Sequence, residues 1–178
     1  PGIFRRSIDL IIKECKELFS LGIKAINLYM KVSENLKDNT GKEAWNPNGL
    51  MQTTIKAIKN AVPGVVIMPD VALDPYSMYG HDGIIKNGKI DNDSTVEALT
   101  KMGISLAEAG ADILAPSDMM DGRVRAIRMA LEMNGHPNVQ KLNNIQIGED
   151  AKVTVIEYAS VTCGHCAVWN EEVWPEFK

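Results

Sequence analysis

VVIMPDVALDPYSMYGHDG, residues 65–83, decides how the chain is read. The apolar run Val65–Met68 ends at Pro69, too short for a helix and too apolar for a solvated loop, so it reads as a buried parallel strand. Behind it come Asp70, Asp74 and Asp82, with His81 among them. In proteins built from alternating strands and helices, chemistry collects just past the carboxyl ends of the parallel strands. Lone loop aspartates more often cap helices or satisfy loop amides. Three carboxylates so closely spaced behind one strand point to an oxygen-rich site.

The 178 residues suffice for one domain with a real core or two very small ones. Hydrophobic residues at 45% and charged residues at 24% are globular values. A net charge of -4 with no basic stripe argues against nucleic acid as a partner. No apolar run approaches the length of a membrane span. The opening PGIFRRSIDLII has arginines before an apolar patch, but Asp9, Lys13 and Glu14 interrupt it, so it reads as an amphipathic helix and not as a secretory signal. Three cysteines, two of them in CGHC, make no disulfide framework.

Before the central stretch, Ile8, Ile11, Ile12, Cys15, Leu18 and Phe19 recur at helical spacing from Ser7 to a stop at Gly22. Cys15 lies on that apolar stripe and reads as a small core residue. Ala25–Tyr29 reads as a strand, residues 31–48 as a long polar loop of the functional or mobile kind, and residues 49–61 as a helix closed by Pro63-Gly64. After the stretch, a loop runs to Asp93-Ser94, where Ser94 and Glu97 suggest a capping box for a helix ending at Gly110. Asp112–Ala115 is a further strand, and residues 123–134 a further helix, ending at Gly135. The order α-β-α-β-α-β-α implies a parallel sheet with right-handed crossovers. Three strands are only part of such a fold, and a closed eight-stranded barrel takes about 250 residues.

GKEAWNPNGL, MPDVALDPYSMYGHDGI and AEAGADILAPSDMMDGRVRAIRMAL carry a resemblance. Residues 1–140 resemble a central piece of porphobilinogen synthase, also called delta-aminolevulinic acid dehydratase. The resemblance implies a partial (β/α)8 TIM-barrel segment, a lyase that condenses two molecules of 5-aminolevulinate to porphobilinogen for tetrapyrrole (heme) synthesis, and a homo-octamer, an assembly that a fragment is not expected to reproduce. Zinc-type members carry cysteines where this sequence has Ala72, Asp74 and Asp82. Carboxylates suit magnesium where thiolates suit zinc. Asp70, Asp74 and Asp82 are therefore the positions for Mg2+ or substrate, with no zinc and no organic cofactor expected. Ser117 and Asp118 match the family's active-site strand end, Asp118 being either a catalytic group or the cap of the following helix. The Schiff-base lysines of the family fall beyond Gln140, and Lys86, Lys89 and Lys101 have no matching context. The barrel piece thus reads as catalytically incomplete, and as cytoplasmic.

Past Gln140 the sequence changes character. KVTVIEY, residues 152–158, reads as a β-branched strand, and Cys163-Gly164-His165-Cys166 opens a helix. A CxxC at a strand-to-helix junction is the thioredoxin arrangement: the helix N-terminus stabilises the Cys163 thiolate, and Cys166 resolves the mixed disulfide. Structural zinc needs four ligands, and only Cys163, Cys166 and His165 or His136 offer themselves. Residues 141–178 resemble the start of a DsbA-like thiol-disulfide oxidoreductase, a truncated thioredoxin-like β-α unit whose parents work in the periplasm. Two partial domains of conflicting compartments point to a chimera joined near Gln140-Lys141. Val153–Ile156 is then expected to act as a fourth parallel strand.

Overall fold

A computed structural model describes residues 4–81 and 83–141. These fall within the first of two compact units, Pro1–Asn143, the second being Asn144–Lys178. The elements run α1 (Ile8–Ser20), β1 (Ala25–Leu28), two 3-10 turns (Glu34–Leu36 and Lys42–Trp45), α2 (Leu50–Ala61), β2 (Val66–Val71), β3 (Ile85–Lys86), β4 (Lys89–Ile90), α3 (Asn92–Ala109), β5 (Ile113–Pro116), α4 (Arg123–Met133) and β6 (Gln140–Lys141). Four strands form one sheet in the order β1-β2-β5-β6, and every pairing within it is parallel. Because the order never reverses, right-handed crossovers set α2, α3 and α4 on one face of the sheet. This is the α/β architecture, a segment of a (β/α)8 barrel.

The core lies between sheet and helices. Ile55 and Ile58 of α2, Leu99, Met102 and Leu106 of α3, and Ile127 and Leu131 of α4 are buried against Ile67, Val71 and Leu114. Each such side chain stabilises the fold by roughly 1.5–3 kcal/mol relative to exposure. A Cβ on Gly103 would stand 3.2 Å from both Ile127 and Leu114, so glycine there lets α3 approach α4 and β5. Cys15 is buried on the apolar stripe of α1, and burial pushes its thiol pKa up, as suits a core residue. No helix among the described residues is long and apolar enough to cross a membrane.

Several local expectations are corrected. β2 does not stop at Pro69 but continues to Val71, which puts Asp70 inside the strand. Val66 donates to Lys24 O, so alternate residues Val66 and Met68 face β1, while Ile67 and Pro69 face β5. Asp112 accordingly donates to Ile67 O. Pro69 forfeits one bond on the β5 side only, where register pairs start at Asp70↔Ala115. The polar loop after β2 contains the hairpin β3-β4. Its turn is Asn87-Gly88, with φ of +51° and +74°, the pair that a type I′ turn selects. The cap of α3 is Asp91, which accepts from Ser94 N at 3.1 Å, and not Ser94. Glu97 pairs with Lys101 at 2.7 Å instead of closing a capping box. A fourth parallel strand does follow α4, but at Gln140–Lys141, paired with Ile113 and Leu114. Val153–Ile156 lies outside the described residues.

Candidate functional site

Period-two alternation sorts the side chains of β2 and β5. Ile67, Val71 and Leu114 face the helices, so Met68, Asp70, Ala115 and Ser117 face the other side of the sheet. At the carboxyl ends of these strands an open cleft of about 520 Å³ is lined by Tyr29, Met30, Asp70, Asp74, Pro75, Gly80, His81 and Ser117. Asp70 comes from β2, Asp74 from the turn after it, and Ser117 from the first position past β5. The structure thus brings Asp70, Asp74 and Ser117 to one place, with His81 beside them. Sequence reasoning missed Tyr29, which follows β1 directly and is 65% exposed. Its phenol oxygen accepts from Asn27 Nδ2 at 3.0 Å. The available signal was its position, one residue beyond the carboxyl end of a parallel strand.

The loop over the cleft is held from outside. Asp38 N donates to Tyr76 O and Met78 N to Asp38 O, both at 3.2 Å, forming a bridge between Asp38 and Ser77. Asn39 exchanges two hydrogen bonds of 3.0 Å with the backbone of Ile85. Residues 31–48, read from sequence as a functional or mobile loop, thus act here as a strap. Within the site loop, His81 Nδ1 accepts from Gly83 N at 3.3 Å, and its ring stacks on Tyr79 with centroids 6.1 Å apart.

Burial pushes the Asp70 carboxyl above the usual carboxylate range; the Ser117 hydroxyl opposes this and the Asp74 charge adds to it. Such a carboxyl takes up a proton readily and gains when a cation arrives. The cleft is therefore suited to an ammonium group, and to proton transfer beside it.

Asp118 stands elsewhere. One residue out of phase with Ser117, it is 2% exposed and outside the cleft lining. Its Oδ2 accepts from Met120 N at 2.8 Å, and its Oδ1 lies 2.8 Å from Arg123 Nε. That contact is a charge pair without hydrogen-bond alignment, since neither atom finds a hydrogen-bond partner. Burial raises the Asp118 pKa despite the Met120 amide and the Arg123 charge. The arrangement is that of a residue fastening the start of α4.

Among the described residues no lysine lines the cleft. Lys86 pairs with Asp91 at 2.9 Å, Lys101 with Glu97, and Lys59 with Asp112 at 3.0 Å. Asp82, Cys163 and Cys166 lie outside the described residues. Among the described residues no group of three or more His, Cys, Asp or Glu side chains converges as a metal site would require. Asp70 and Asp74 are the described part of the carboxylate set read for Mg2+.

Comparison with known proteins completes the description. The family model for delta-aminolevulinic acid dehydratase matches residues 1–144, and one for thioredoxin matches residues 141–178. Delta-aminolevulinic acid dehydratase 1, chloroplastic, of Arabidopsis thaliana is 51% identical over 141 residues, 78% of this chain and 33% of the relative. The dehydratase of Rhodobacter capsulatus is 45% identical over 80% of this chain and 43% of the relative. A crystal structure of the Toxoplasma gondii dehydratase (porphobilinogen synthase) in complex with the reaction product porphobilinogen superposes with a TM-score of 0.78 at 50% identity, covering 80% of this chain and 41% of that one. The chain thus spans about a third to two-fifths of the length of these relatives.

Proposed function

The chain belongs to the delta-aminolevulinic acid dehydratase family, and on that footing we propose that its cleft binds the ammonium end of 5-aminolevulinate, as the part of a porphobilinogen synthase barrel that supplies carboxylates and not the Schiff-base amine. The observation that carries this reading is the convergence of Asp70, Asp74 and Ser117 in one cleft at the carboxyl ends of β2 and β5. Asp70 and Asp74 attract the ammonium, and the Ser117 hydroxyl favours the ionised form of Asp70. Condensing two molecules of 5-aminolevulinate through Schiff bases needs a desolvated lysine against the substrate carbonyl. Among the described residues the cleft lining offers none, so the described part supplies the carboxylate side of the site.

Borohydride reduction in the presence of 5-aminolevulinate tests this. The intact mass of the chain is expected to stay unchanged after treatment. A reduced adduct on any lysine would overturn the reading.

For the tail we propose a DsbA-like origin, joined to the dehydratase piece near Gln140-Lys141. Its support is the meeting of two family matches within residues 141–144. In that reading Cys163 is the nucleophile and Cys166 the resolving thiol. Cys163 is then expected to titrate well below the ordinary thiol value, and alkylation rates against pH that place it near about 8.5 would contradict the origin.

A further inference from the structure

We propose that Asn87-Gly88, the tip of the β3-β4 hairpin, is a site of spontaneous deamidation and isoaspartate formation, and that the rearranged chain loosens the site loop from its strap. The inference rests on the hairpin and not on what the cleft binds. The sequence holds three Asn-Gly pairs, Asn48-Gly49, Asn87-Gly88 and Asn134-Gly135. In such a pair the glycine nitrogen attacks the asparagine Cγ, since no side chain on the glycine blocks the approach. The side-chain nitrogen leaves as ammonia, carrying off the proton that the glycine nitrogen gives up. Water then opens the five-membered imide at either carbonyl. One opening returns a main chain with aspartate, and the other routes the main chain through the side chain as isoaspartate. Water is the only co-reactant.

The three pairs are alike in sequence, so their surroundings decide among them. Gly49 N donates to Asn46 O at 2.8 Å, and a Cβ on Gly49 would stand 2.9 Å from that same oxygen. Gly135 N donates to Glu132 O at 3.3 Å, and Asn134 Nδ2 donates to Ala130 O at 2.8 Å. Both of these pairs are thus tied to helix ends. At the hairpin tip both residues are exposed. Among the described residues neither Gly88 N nor the Asn87 side chain has a hydrogen-bond partner. A Cβ on Gly88 would meet nothing within 4 Å. Ring closure requires Asn87 to leave its left-handed turn conformation, with φ of +51°, so the tip must open first. β3 and β4 have two residues each, and a hairpin that short opens readily. Opening either of the other pairs unwinds the end of a helix.

Isoaspartate adds a methylene to the main chain, and a two-residue turn then no longer fits the Lys86↔Lys89 pair. Next to that pair is Ile85, whose N and O are both bonded to Asn39 at 3.0 Å. This is where the strap holds the loop that also carries Asp74 and His81.

Ageing the full chain in heavy-oxygen water at mildly alkaline pH, followed by peptide mapping, tests the site. Asn87 should convert about threefold to about tenfold faster than Asn48 or Asn134, the worth of one hydrogen bond. Its products should be two isomeric peptides carrying the heavy oxygen. Hydrogen exchange on the separated isoaspartate form tests the loosening: the Ile85 amide should exchange several-fold faster than in the fresh chain. Asn87→Asp carries the new charge without the extra methylene and should keep the fresh chain's exchange. Should that variant misfold, the aspartate product of ageing supplies the same comparison. No conversion at Asn87, or conversion no faster than at the other two pairs, overturns the site. An unchanged Ile85 amide in the isoaspartate form, or equal loosening in the aspartate form, overturns the mechanism.

Discussion

Asp118→Ala should lower the stability of the first unit by about 3 kcal/mol, the low end for breaking a buried ion pair, read as a shift of the urea midpoint. The Asp118 side chain is fully buried while Arg123 is 27% exposed, so the orphaned guanidinium recovers part of its hydration. The Met120 amide loses its acceptor as well. The raised pKa of Asp118 is compatible with this cost. It says that burial makes the carboxylate costlier in the folded state than in the unfolded chain, whereas alanine removes the acceptor itself and leaves a hole. Asp118→Asn keeps an oxygen for Met120 N and should cost less than half as much. Equal losses in the two variants would show that the charge, and not the acceptor, holds the start of α4.

Asp70→Asn should have opposite effects on binding and on stability. The folded-state pKa of Asp70 lies above its ordinary 3.8 because burial and the Asp74 charge outweigh the Ser117 hydroxyl. The folded protein therefore holds this proton where the unfolded chain has released it. Stability falls as pH climbs from about 4 to the raised value, and the deficit persists at neutrality. Asparagine has no charge to bury, so the variant should melt higher than the natural chain at pH 7, with the gain vanishing below about pH 4. It should also bind 5-aminolevulinate about tenfold to about a hundredfold more weakly, the loss of one charged hydrogen bond of about 1.5–3 kcal/mol. A gain in stability beside a loss of binding is the usual mark of a strained functional group. Calorimetry and ligand titration on the same preparation check both, and a variant that melts lower with unchanged affinity would sink the assignment.

Much of the fold was legible because the signals were periodic. Apolar spacing located α1, α2, α3 and α4, short apolar runs located β1, β2 and β5, and their alternation implied a parallel sheet. What escaped was local. Asn87-Gly88 is a strong hairpin signal, but β3 and β4 have two residues each and no apolar alternation to announce them. Pro69 looked like a strand end because proline lacks a donor, yet a parallel strand shares its bonds between two neighbours and survives one missing. Ser94 looked like a cap by its spacing to Glu97, but Asp91 stands three residues earlier with a better acceptor. In the candidate site, Asp70 and Ser117 share the phase of Met68 and Ala115, and so face the cleft. Asp118 is adjacent to Ser117 and by the same period must face the helices. That distinction was present in the sequence once β5 was placed. Tyr29 depended on which strand lies beside β2, which only the sheet order reveals.

Asp70 is the group that seeks the ammonium at the carboxyl end of β2, and carbon-13 NMR titration of its carboxyl, with and without 5-aminolevulinate, measures that directly. A midpoint above the ordinary carboxylate value that moves down when the ligand is added is the predicted result, since a bound ammonium favours the ionised acid. A midpoint that the ligand leaves in place, or one that starts at the ordinary value, would contradict it.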